Sequence, residues 1–275
     1  MNKPFFQKLL YLLLVSVVAL AAIRIIARSL VHDTPALDEG RAFQLIAHEG
    51  GGVDGKTYTN SVEAFQKSSA DGFKLFEFDL IRTLDGSLVG AHDWGHFRDV
   101  TGAQLKGDIP MTSAEFAIQR VLGKYTPVTP KDINHWMELY KDIYLVTDKT
   151  NDYSLIQSSF IYQDRIFIEV FGPEAYLIAL NSGIARPIYS MGFGSLKGWL
   201  FQMAMVLILG PKYIACPYGT IQDNPVFFSI VKALGARPFV FTLNDMDAAT
   251  TLIHKYGAVI YTDFLIPADL PSHHP

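Results

Sequence analysis

The 275-residue sequence has little of several features that mark particular classes of protein. It contains one cysteine, Cys216, so an intrachain disulfide framework is excluded. This cysteine ends the apolar run Tyr213–Cys216, which predicts a buried and inert thiol. The chain has no run of Lys and Arg, and its formal net charge is −4. The composition therefore indicates no nucleic-acid partner.

Charged residues are also absent from a stretch near the N-terminus. Residues 9–23 carry no charge, and the residues after them are again largely apolar. At ~1.5 Å per residue, a helix from Phe5 to Ala27 is long enough to span a bilayer if Lys8 and Arg24 extend to the interfaces. We therefore expect a single-pass membrane protein with an anchor at 1–30, a linker at 31–42 and one domain at 43–275.

Two other interpretations of the N-terminal segment stay open. Ala19-Leu20-Ala21 has the small-x-small form of a cleavage site, and a buried helix of a soluble domain would also be apolar. We favour an uncleaved anchor because apolar residues continue past that site. Basic residues flank the segment almost equally on both sides, and we lean toward an extracytoplasmic domain.

Beyond the linker, short β-rich apolar runs alternate with helix-length segments. The runs that read as strands are 43–47, 75–79, 143–147, 166–170, 187–191, 213–216, 239–243 and 258–262. The helical patterns are 61–70, 130–140, 152–162, 173–182, 196–209, 225–234 and 245–256. This alternation of strands and helices predicts an α/β fold, namely a (β/α)8 barrel, which is also called a TIM barrel. A doubly wound sheet is the alternative, but residues 48–52 lack its usual glycine spacing.

Polar residues follow several of these strands, where the catalytic groups of a barrel lie. Glu77 and Asp79 share one face of a strand, and Asp85-Gly86 is a hairpin signal. If those two residues form the turn, His92 lies opposite Asp79. The hairpin would then gather two carboxylates and an imidazole, as a metal-assisted site with a proton shuttle requires.

Two segments need an interpretation beyond the alternation of strands and helices. Residues 95–125 read as an irregular excursion from the barrel, with His96 as a surface residue that lacks ligand geometry. The apolar segment 199–209 is too short to cross a membrane. We expect it to form a buried helix, and an interfacial membrane contact is the alternative.

The sequence also carries a series of short motifs in a fixed order. They are Ile46-Ala47-His48, Asn60 with Ala64-Phe65, Gly72, Glu77-x-Asp79, Thr83-x-Asp85-Gly86, His92-Asp93, Thr101-Gly102, Phe241-Thr242-x-Asn244 and Ile260-Tyr261-Thr262-Asp263. In order and spacing they resemble the glycerophosphodiester phosphodiesterase family, part of the phosphatidylinositol phospholipase C-like phosphodiesterases. The resemblance covers residues 43–266. It implies an irregular (β/α)8 barrel that hydrolyses phosphodiesters with a divalent metal and two histidines.

The resemblance also implies roles for individual residues. His48 and His92 become the general acid and base pair, and Glu77 and Asp79 become metal ligands. Imidazoles titrate near neutrality, so one can give a proton while the other takes one. Carboxylates are hard ligands, so we expect one divalent cation, Mg²⁺ or Ca²⁺.

Three departures from the family pattern fall in the same site. Glu49 stands where the family usually has Arg, and Thr59 stands where it usually has Glu. The third acidic ligand usually lies two residues before a Lys, a place that Thr147 occupies here. We expect Asp148 to be the third ligand. Strand alternation predicts that Asp148 and Lys149 do not both face the barrel.

Glu169, at the next strand end, is the reserve candidate for the third ligand. Glu49 and Lys149 are expected to contact the substrate, although Glu49 could instead support the cation. We expect a metal-dependent hydrolase of a glycerophosphodiester or a phospholipid head group, with a phospholipase-D-like or phosphatidylinositol-cleaving enzyme as a variant. The alternative is a catalytically inactive barrel that binds phosphorylated lipid or glycan, because Glu49 would repel a bare phosphate.

Overall fold

The computed structural model describes residues 36–38, 40–103, 109–192 and 195–271. The predicted anchor at 1–30 lies outside the described residues, as does most of the predicted linker. Within the described ranges, no helix combines the length and the hydrophobicity that a bilayer span needs.

The described residues form ten strands. They are β1 (Leu45–Ala47), β2 (Leu75–Glu77), β3 (Leu80–Arg82), β4 (Leu88–Gly90), β5 (Tyr144–Thr147), β6 (Ile166–Phe171), β7 (Arg186–Ser190), β8 (Tyr213–Pro217), β9 (Arg237–Phe241) and β10 (Val259–Thr262). Strands β3 and β4 form an antiparallel hairpin. The other eight are parallel and close into a barrel in the order β1-β2-β5-β6-β7-β8-β9-β10, with Leu45 of β1 beside Ile260 of β10.

Helices cover the outside of this barrel. They are α1 (Val62–Ala70), α2 (Trp94–Thr101), α3 (Ser113–Ala117), α4 (Pro130–Leu139), α5 (Tyr153–Ser159), α6 (Pro173–Asn181), α7 (Leu196–Leu209), α8 (Tyr218–Asp223), α9 (Pro225–Ala233) and α10 (Met246–Tyr256). Several begin at side-chain caps, such as Ser61, Thr129 and Asp245. All eight predicted barrel strands and all seven predicted helices are confirmed.

Alternation along each strand divides the core in two. Alternate strand residues such as Ile46, Val146 and Phe167 pack inside the barrel, and their neighbours pack against the helices. Full burial of one large apolar side chain is worth about 1.5–3 kcal/mol, so this layered packing holds the strand ends in place. Cys216 is fully buried, as predicted.

The β3–β4 hairpin differs from the predicted register by one residue. Its loop runs from Thr83 to Ser87, because Thr83 Oγ1 accepts the N–H of Ser87 at 2.9 Å. A longer, side-chain-capped loop therefore replaces the expected two-residue turn. Ala91 donates its N–H to the carbonyl of Asp79 at 3.0 Å, so Ala91 rather than His92 lies opposite Asp79.

The start of the predicted irregular excursion is a helix. Asp93 caps α2, and its Oδ1 accepts the N–H of His96 at 2.7 Å. His96 is half-buried, and its ring lies 6.1 Å from the ring of Tyr58 and 6.0 Å from that of His92. The expectation of a surface residue on a loop was wrong because the capping signal of Asp93 was missed.

Helix α7 is not the buried helix that its composition predicts. Val206 and Leu209 are its buried residues, whereas Leu196, Leu200 and Phe201 are exposed. Its sequence is apolar on all faces, but the barrel covers one side of it. An exposed apolar face therefore remains on the outside of the molecule.

Candidate active site

A cavity of about 270 Å³ opens at the C-terminal ends of the barrel strands. It is lined by all seven residues predicted for the site: His48, Glu49, Glu77, Asp79, His92, Asp148 and Lys149. These residues come from β1, β2, the hairpin and β5, so they are far apart in sequence. Closure of the barrel brings them to one rim, which is where barrels carry their chemistry.

Three carboxylates form the floor of the cavity. Glu77 ends β2, Asp79 follows two residues later, and Asp148 follows β5, the neighbour of β2 in the sheet. One oxygen from each lies within 4.8 Å of the other two. Burial and the negative charge of Asp79 raise the pKa of both Glu77 and Asp148 well above the usual range. A divalent cation would relieve this repulsion.

The donor set fits such a cation. Asp148 Oδ1 is buried and has no hydrogen-bond partner among the described residues. Glu77 Oε2 accepts the backbone N–H of Glu49 at 2.8 Å, which fixes the orientation of that carboxylate. Asp79 Oδ2 accepts Asn60 Nδ2 at 3.2 Å. Oriented hard oxygens with an unsatisfied member are what Mg²⁺ and Ca²⁺ sites require.

Asp148 and Lys149 both line the cavity, contrary to the prediction from strand alternation. Strand β5 ends at Thr147, and Lys149 has a left-handed backbone with φ of 62°. Alternation therefore stops before these residues. Lys149 Nζ lies 3.1 Å from Asp148 Oδ2 and 3.3 Å from Asp79 Oδ1. Burial opposes its charge, but the two carboxylates outweigh burial and raise the pKa of Lys149.

Glu169, the reserve ligand, is held by other groups. Its Oε2 accepts the hydroxyl of Tyr261 at 3.3 Å. Burial raises the pKa of Glu169, which lines the cavity away from the three-carboxylate cluster. The geometry thus favours Asp148 over Glu169 as the third carboxylate.

Glu49 is buried, with 1% of its surface exposed. It lies in a short 3-10 turn after β1 and has a left-handed backbone, with φ of 49°. Its Oε2 accepts Asn60 Nδ2 at 2.7 Å, while its Oε1 has no hydrogen-bond partner among the described residues. Burial first, and then the charge of Asp79, raises the pKa of Glu49 to about 10. Glu49 is therefore part of the site and not a solvated loop residue.

Each of the two predicted catalytic histidines is oriented by a carboxylate. His48 Nδ1 lies 2.9 Å from Asp263 Oδ1, and His92 Nδ1 lies 2.7 Å from Asp93 Oδ2. Burial opposes ionisation of Asp263, but the hydrogen bond from His48 and one from Asn244 hold the pKa of this carboxyl below its usual value. An ionised carboxylate only accepts, so Nδ1 of His48 carries a proton and its Nε2 is left for other partners.

Tyr58 was not predicted as a site residue. Its ring packs edge-on against His48, His92 and His96, with ring centroids 5.4, 6.3 and 6.1 Å apart. Its side chain lines the cavity, and its backbone has φ of 58°. Tyr58 belongs to a loop in which non-glycine residues have left-handed backbones just before a helix cap. Such backbone strain indicates a functional constraint, but backbone dihedral angles cannot be read from the sequence.

No family model matches the sequence, and no curated protein sequence matches it. Solved structures, by contrast, match the fold of this chain. A glycerophosphodiester phosphodiesterase from Parabacteroides distasonis has a TM-score of 0.62 and 21% identity, over 80% of this chain and 92% of that chain. The glycerophosphodiester phosphodiesterase from Thermotoga maritima has a TM-score of 0.62 and 19% identity, over 79% of this chain and 93% of that chain.

A phosphodiesterase from Oleispira antarctica, solved with the product sn-glycerol-3-phosphate, has a TM-score of 0.61 and 18% identity, over 86% of this chain and 95% of that chain. Similarity at this level of identity concerns the fold, and the chemistry has to be argued from the residues of this chain. The chain thus has the barrel fold of the glycerophosphodiester phosphodiesterases, the family that its motifs resemble.

Proposed function

We propose that this chain is a metal-dependent phosphodiester hydrolase that acts on a glycerophosphodiester or a phospholipid head group. The observation that carries the proposal is the position of two carboxylate-oriented imidazoles, His48 and His92, on the cavity that holds the cluster of Glu77, Asp79 and Asp148. A structural cluster of acids would not need two imidazoles, and a simple cation site would not need their orienting carboxylates.

Glu77, Asp79 and Asp148 would hold one divalent cation, Mg²⁺ or Ca²⁺. When bound, the cation supplies positive charge that neutralises the phosphodiester anion and the charge that develops during its hydrolysis. Lys149 has its Nζ within 3.3 Å of two of these carboxylates and adds a second positive charge at the same place. It can bind a phosphate oxygen as a point charge.

His48 and His92 would act as the general acid and base pair. Because a carboxylate engages Nδ1 of each ring, the other ring nitrogen, Nε2, is the atom that can give or take a proton. One imidazole takes the proton of the attacking hydroxyl or water, and the other protonates the leaving oxygen. Each such step typically contributes ~10²- to 10⁴-fold.

The substrate class rests on chemistry and on similarity. The neighbour from Oleispira antarctica holds sn-glycerol-3-phosphate as its product. Glu49 stands where the family usually has an arginine, so the ligand beside the phosphate should offer hydroxyl groups that donate to the Glu49 side chain, or a cationic group that acidic side chains attract. Glycerol hydroxyls and the ammonium of a choline or ethanolamine head group both fit that requirement.

Hydrolysis of a chromogenic phosphodiester by the purified full chain tests the proposal. Turnover should appear with Mg²⁺ or Ca²⁺, disappear with a chelator and return when the cation is restored. A variant that lacks both imidazoles, with His48→Ala and His92→Ala, should be inactive although it binds the cation. Turnover that persists in chelator, or in the double variant, would refute the proposed chemistry.

We also propose that residues 1–30 anchor the protein to a membrane as a single-pass helix, with the barrel extracytoplasmic. The predominantly apolar segment from Phe5 to Ala27, with Lys8 and Arg24 placed to reach the two interfaces, supports this proposal. Resistance of the protein in cell membranes to alkaline extraction tests the anchor. Digestion of the barrel by a protease added outside spheroplasts tests the side of the membrane.

The second candidate function is a binding module for phosphorylated lipid or glycan without turnover. Burial of Glu49 beside the carboxylate cluster favours it, because four acidic side chains surround a site that would have to accept an anion. Cation-dependent binding of sn-glycerol-3-phosphate without hydrolysis of any phosphodiester would support this function over the first.

A further inference from the structure

One flank of the barrel exposes several apolar side chains on two successive helices. On α7 the exposed residues include Leu196, Leu200 and Phe201, at 75%, 57% and 48% exposure. On the preceding helix, α6, Leu177 and Ile178 are exposed at 44% and 48%. These five residues are called the α6–α7 face below. Exposed apolar residues grouped on two successive helices mark a candidate interaction surface.

The contrast with α10 shows that the barrel does not require this pattern. The exposed positions of α10 are polar or charged: Asp247, Thr251, His254 and Lys255. Helix α10 buries Ala249, Leu252, Ile253 and Tyr256 on its other side, as an amphipathic helix on a barrel should. The apolar character of the exposed residues of α7 is therefore a property of that helix and not a consequence of the fold.

The same part of the chain has no negative charge. No Asp or Glu occurs from Ala175 to Gln222, although the sequence has 27 acidic residues in 275. Lys197 is exposed in the first turn of α7, whereas the exposed Glu174, in the first turn of α6, precedes the stretch without acidic residues. The exposed face of α7, which is apolar and carries a lysine but no carboxylate of its own, complements a bilayer surface with anionic head groups.

Toward the N-terminus, the chain meets the barrel at the N-terminal ends of its strands, where Leu37 is buried among the inward-facing residues. Leu37 donates its N–H to the Tyr213 hydroxyl at 2.8 Å, and Arg237 donates to the carbonyl of Asp38 at 3.0 Å. Tyr213 and Arg237 begin β8 and β9, and α7 leads directly into β8. The chain therefore joins the barrel beside the end of α7.

Length limits how far the predicted anchor can lie from this flank. Residues 28–35 separate the apolar segment from Ala36. Eight extended residues reach at most about 26–29 Å, which is about the width of a small domain. An anchor in a bilayer therefore keeps the point where the chain joins the barrel within that distance of the bilayer, and α7 ends at the same end of the barrel.

We propose that the α6–α7 face rests in the surface of the lipid bilayer that holds the N-terminal segment. The apolar side chains would enter the boundary between head groups and acyl chains, to a depth of about 5–10 Å, as interfacial helices do. The barrel would then lie on its side, with the rim of the cavity near the head groups. The proposal concerns contact with lipid and does not depend on hydrolysis.

Site-directed labelling tests it on the full chain. Cys216 is buried, and burial raises the pKa of its thiol, so an introduced cysteine is labelled selectively. Leu200→Cys and Phe201→Cys are labelled with a polarity-sensitive fluorophore, and Leu139→Cys is the matched control. Leu139 is a leucine of 59% exposure on α4, beside the β2–β5 side of the barrel.

The labelled proteins are reconstituted into vesicles of phosphatidylcholine and phosphatidylglycerol. In these vesicles the labels on α7 should be at least about twofold brighter than the label at Leu139, and brominated lipid should quench the α7 labels but not the label at Leu139. The proposal is overturned by an α7 label that stays aqueous, by equal responses at Leu139, or by a brightened α7 label that brominated lipid does not quench. The last result would indicate contact between two copies of the chain.

Discussion

Asn60 donates from Nδ2 to Glu49 Oε2 at 2.7 Å, and the same amide reaches Asp79 Oδ2 at 3.2 Å. Asn60 also accepts the N–H of Asp79 through Oδ1 at 3.0 Å. One side chain therefore holds Glu49 against a member of the carboxylate cluster. This bridge makes Glu49 part of the cluster that is proposed to hold the cation.

Replacement of Glu49 by arginine should lower activity on the protein's own substrate, although arginine is the residue that the family usually has there. The guanidinium would lie near Lys149, lose the hydrogen bond from Asn60 and compete with the cation. We expect a loss of at least ~10-fold in kcat/KM, since loss of a buried hydrogen bond costs about 1 kcal/mol or more and the added positive charge beside Lys149 costs more. Glu49→Gln, which keeps the acceptor for Asn60, is the control. An unchanged or higher rate for Glu49→Arg would show that Glu49 is merely tolerated.

Glu77→Gln and Asp79→Asn should each abolish metal-dependent turnover and leave the fold intact. Both side chains lie at the rim of the barrel, and the amides keep their size while losing a hard anionic ligand. Calorimetric titration with Ca²⁺ or Mg²⁺ measures the effect directly, and circular dichroism checks the fold. Wild-type affinity for the cation in both variants would remove these residues from the metal site.

His48→Ala and His92→Ala should each reduce kcat by at least ~10²-fold with little change in affinity for the cation. His135→Ala, at an exposed position of α4, is the control for histidine removal and should leave the rate unchanged. Near wild-type turnover in either single variant would show that the two-histidine mechanism is wrong.

Asp263→Asn should slow turnover through His48. Asparagine can hydrogen-bond His48 Nδ1 but does not stabilise a positive imidazole, so we expect kcat to fall by about 10- to 100-fold while KM changes little. Separate determination of kcat and KM is the check. A change confined to KM would place Asp263 in substrate binding instead.

Stability without a cation should fall as the pH rises. The folded-state pKa of Glu49 is raised to about 10 from an ordinary value of 4.5, so the folded chain keeps a proton that the unfolded chain releases. Between about pH 5 and about pH 9, higher pH therefore favours unfolding. The melting temperature in chelator should decline over this range, and Glu49→Gln should decline less. Equal slopes for the two proteins would contradict this assignment.

The alternation of strand-like and helix-like segments along the sequence was enough to predict the barrel. Strands such as Ile166–Phe171 are buried runs of β-branched and aromatic residues, and caps such as Thr129 and Asp245 mark helix starts. Barrel closure then placed residues as distant as His48 and Asp263 2.9 Å apart. The motifs predicted which side chains meet because strand ends share one rim.

Local geometry of single residues was less predictable. The Thr83 hydroxyl lengthened the hairpin loop, and the left-handed backbone of Lys149 turned both Asp148 and Lys149 into the cavity. Both features depend on hydrogen bonds and backbone dihedrals that residue periodicity does not encode. The exposed face of α7 contradicts the expected buried helix, because apolar composition alone does not tell a buried face from an exposed one.

The central claim is that this cavity cleaves a phosphodiester with a bound cation, and ³¹P NMR of the reaction tests it most directly. The full chain is incubated with a glycerophosphodiester or with a phospholipid in vesicles, first in chelator and then with Mg²⁺ or Ca²⁺. The proposed chemistry predicts that a phosphomonoester resonance grows only after the cation is added, and never with Asp79→Asn. A diester signal that persists with every substrate, for folded protein with the cation bound, would contradict it and favour the binding module.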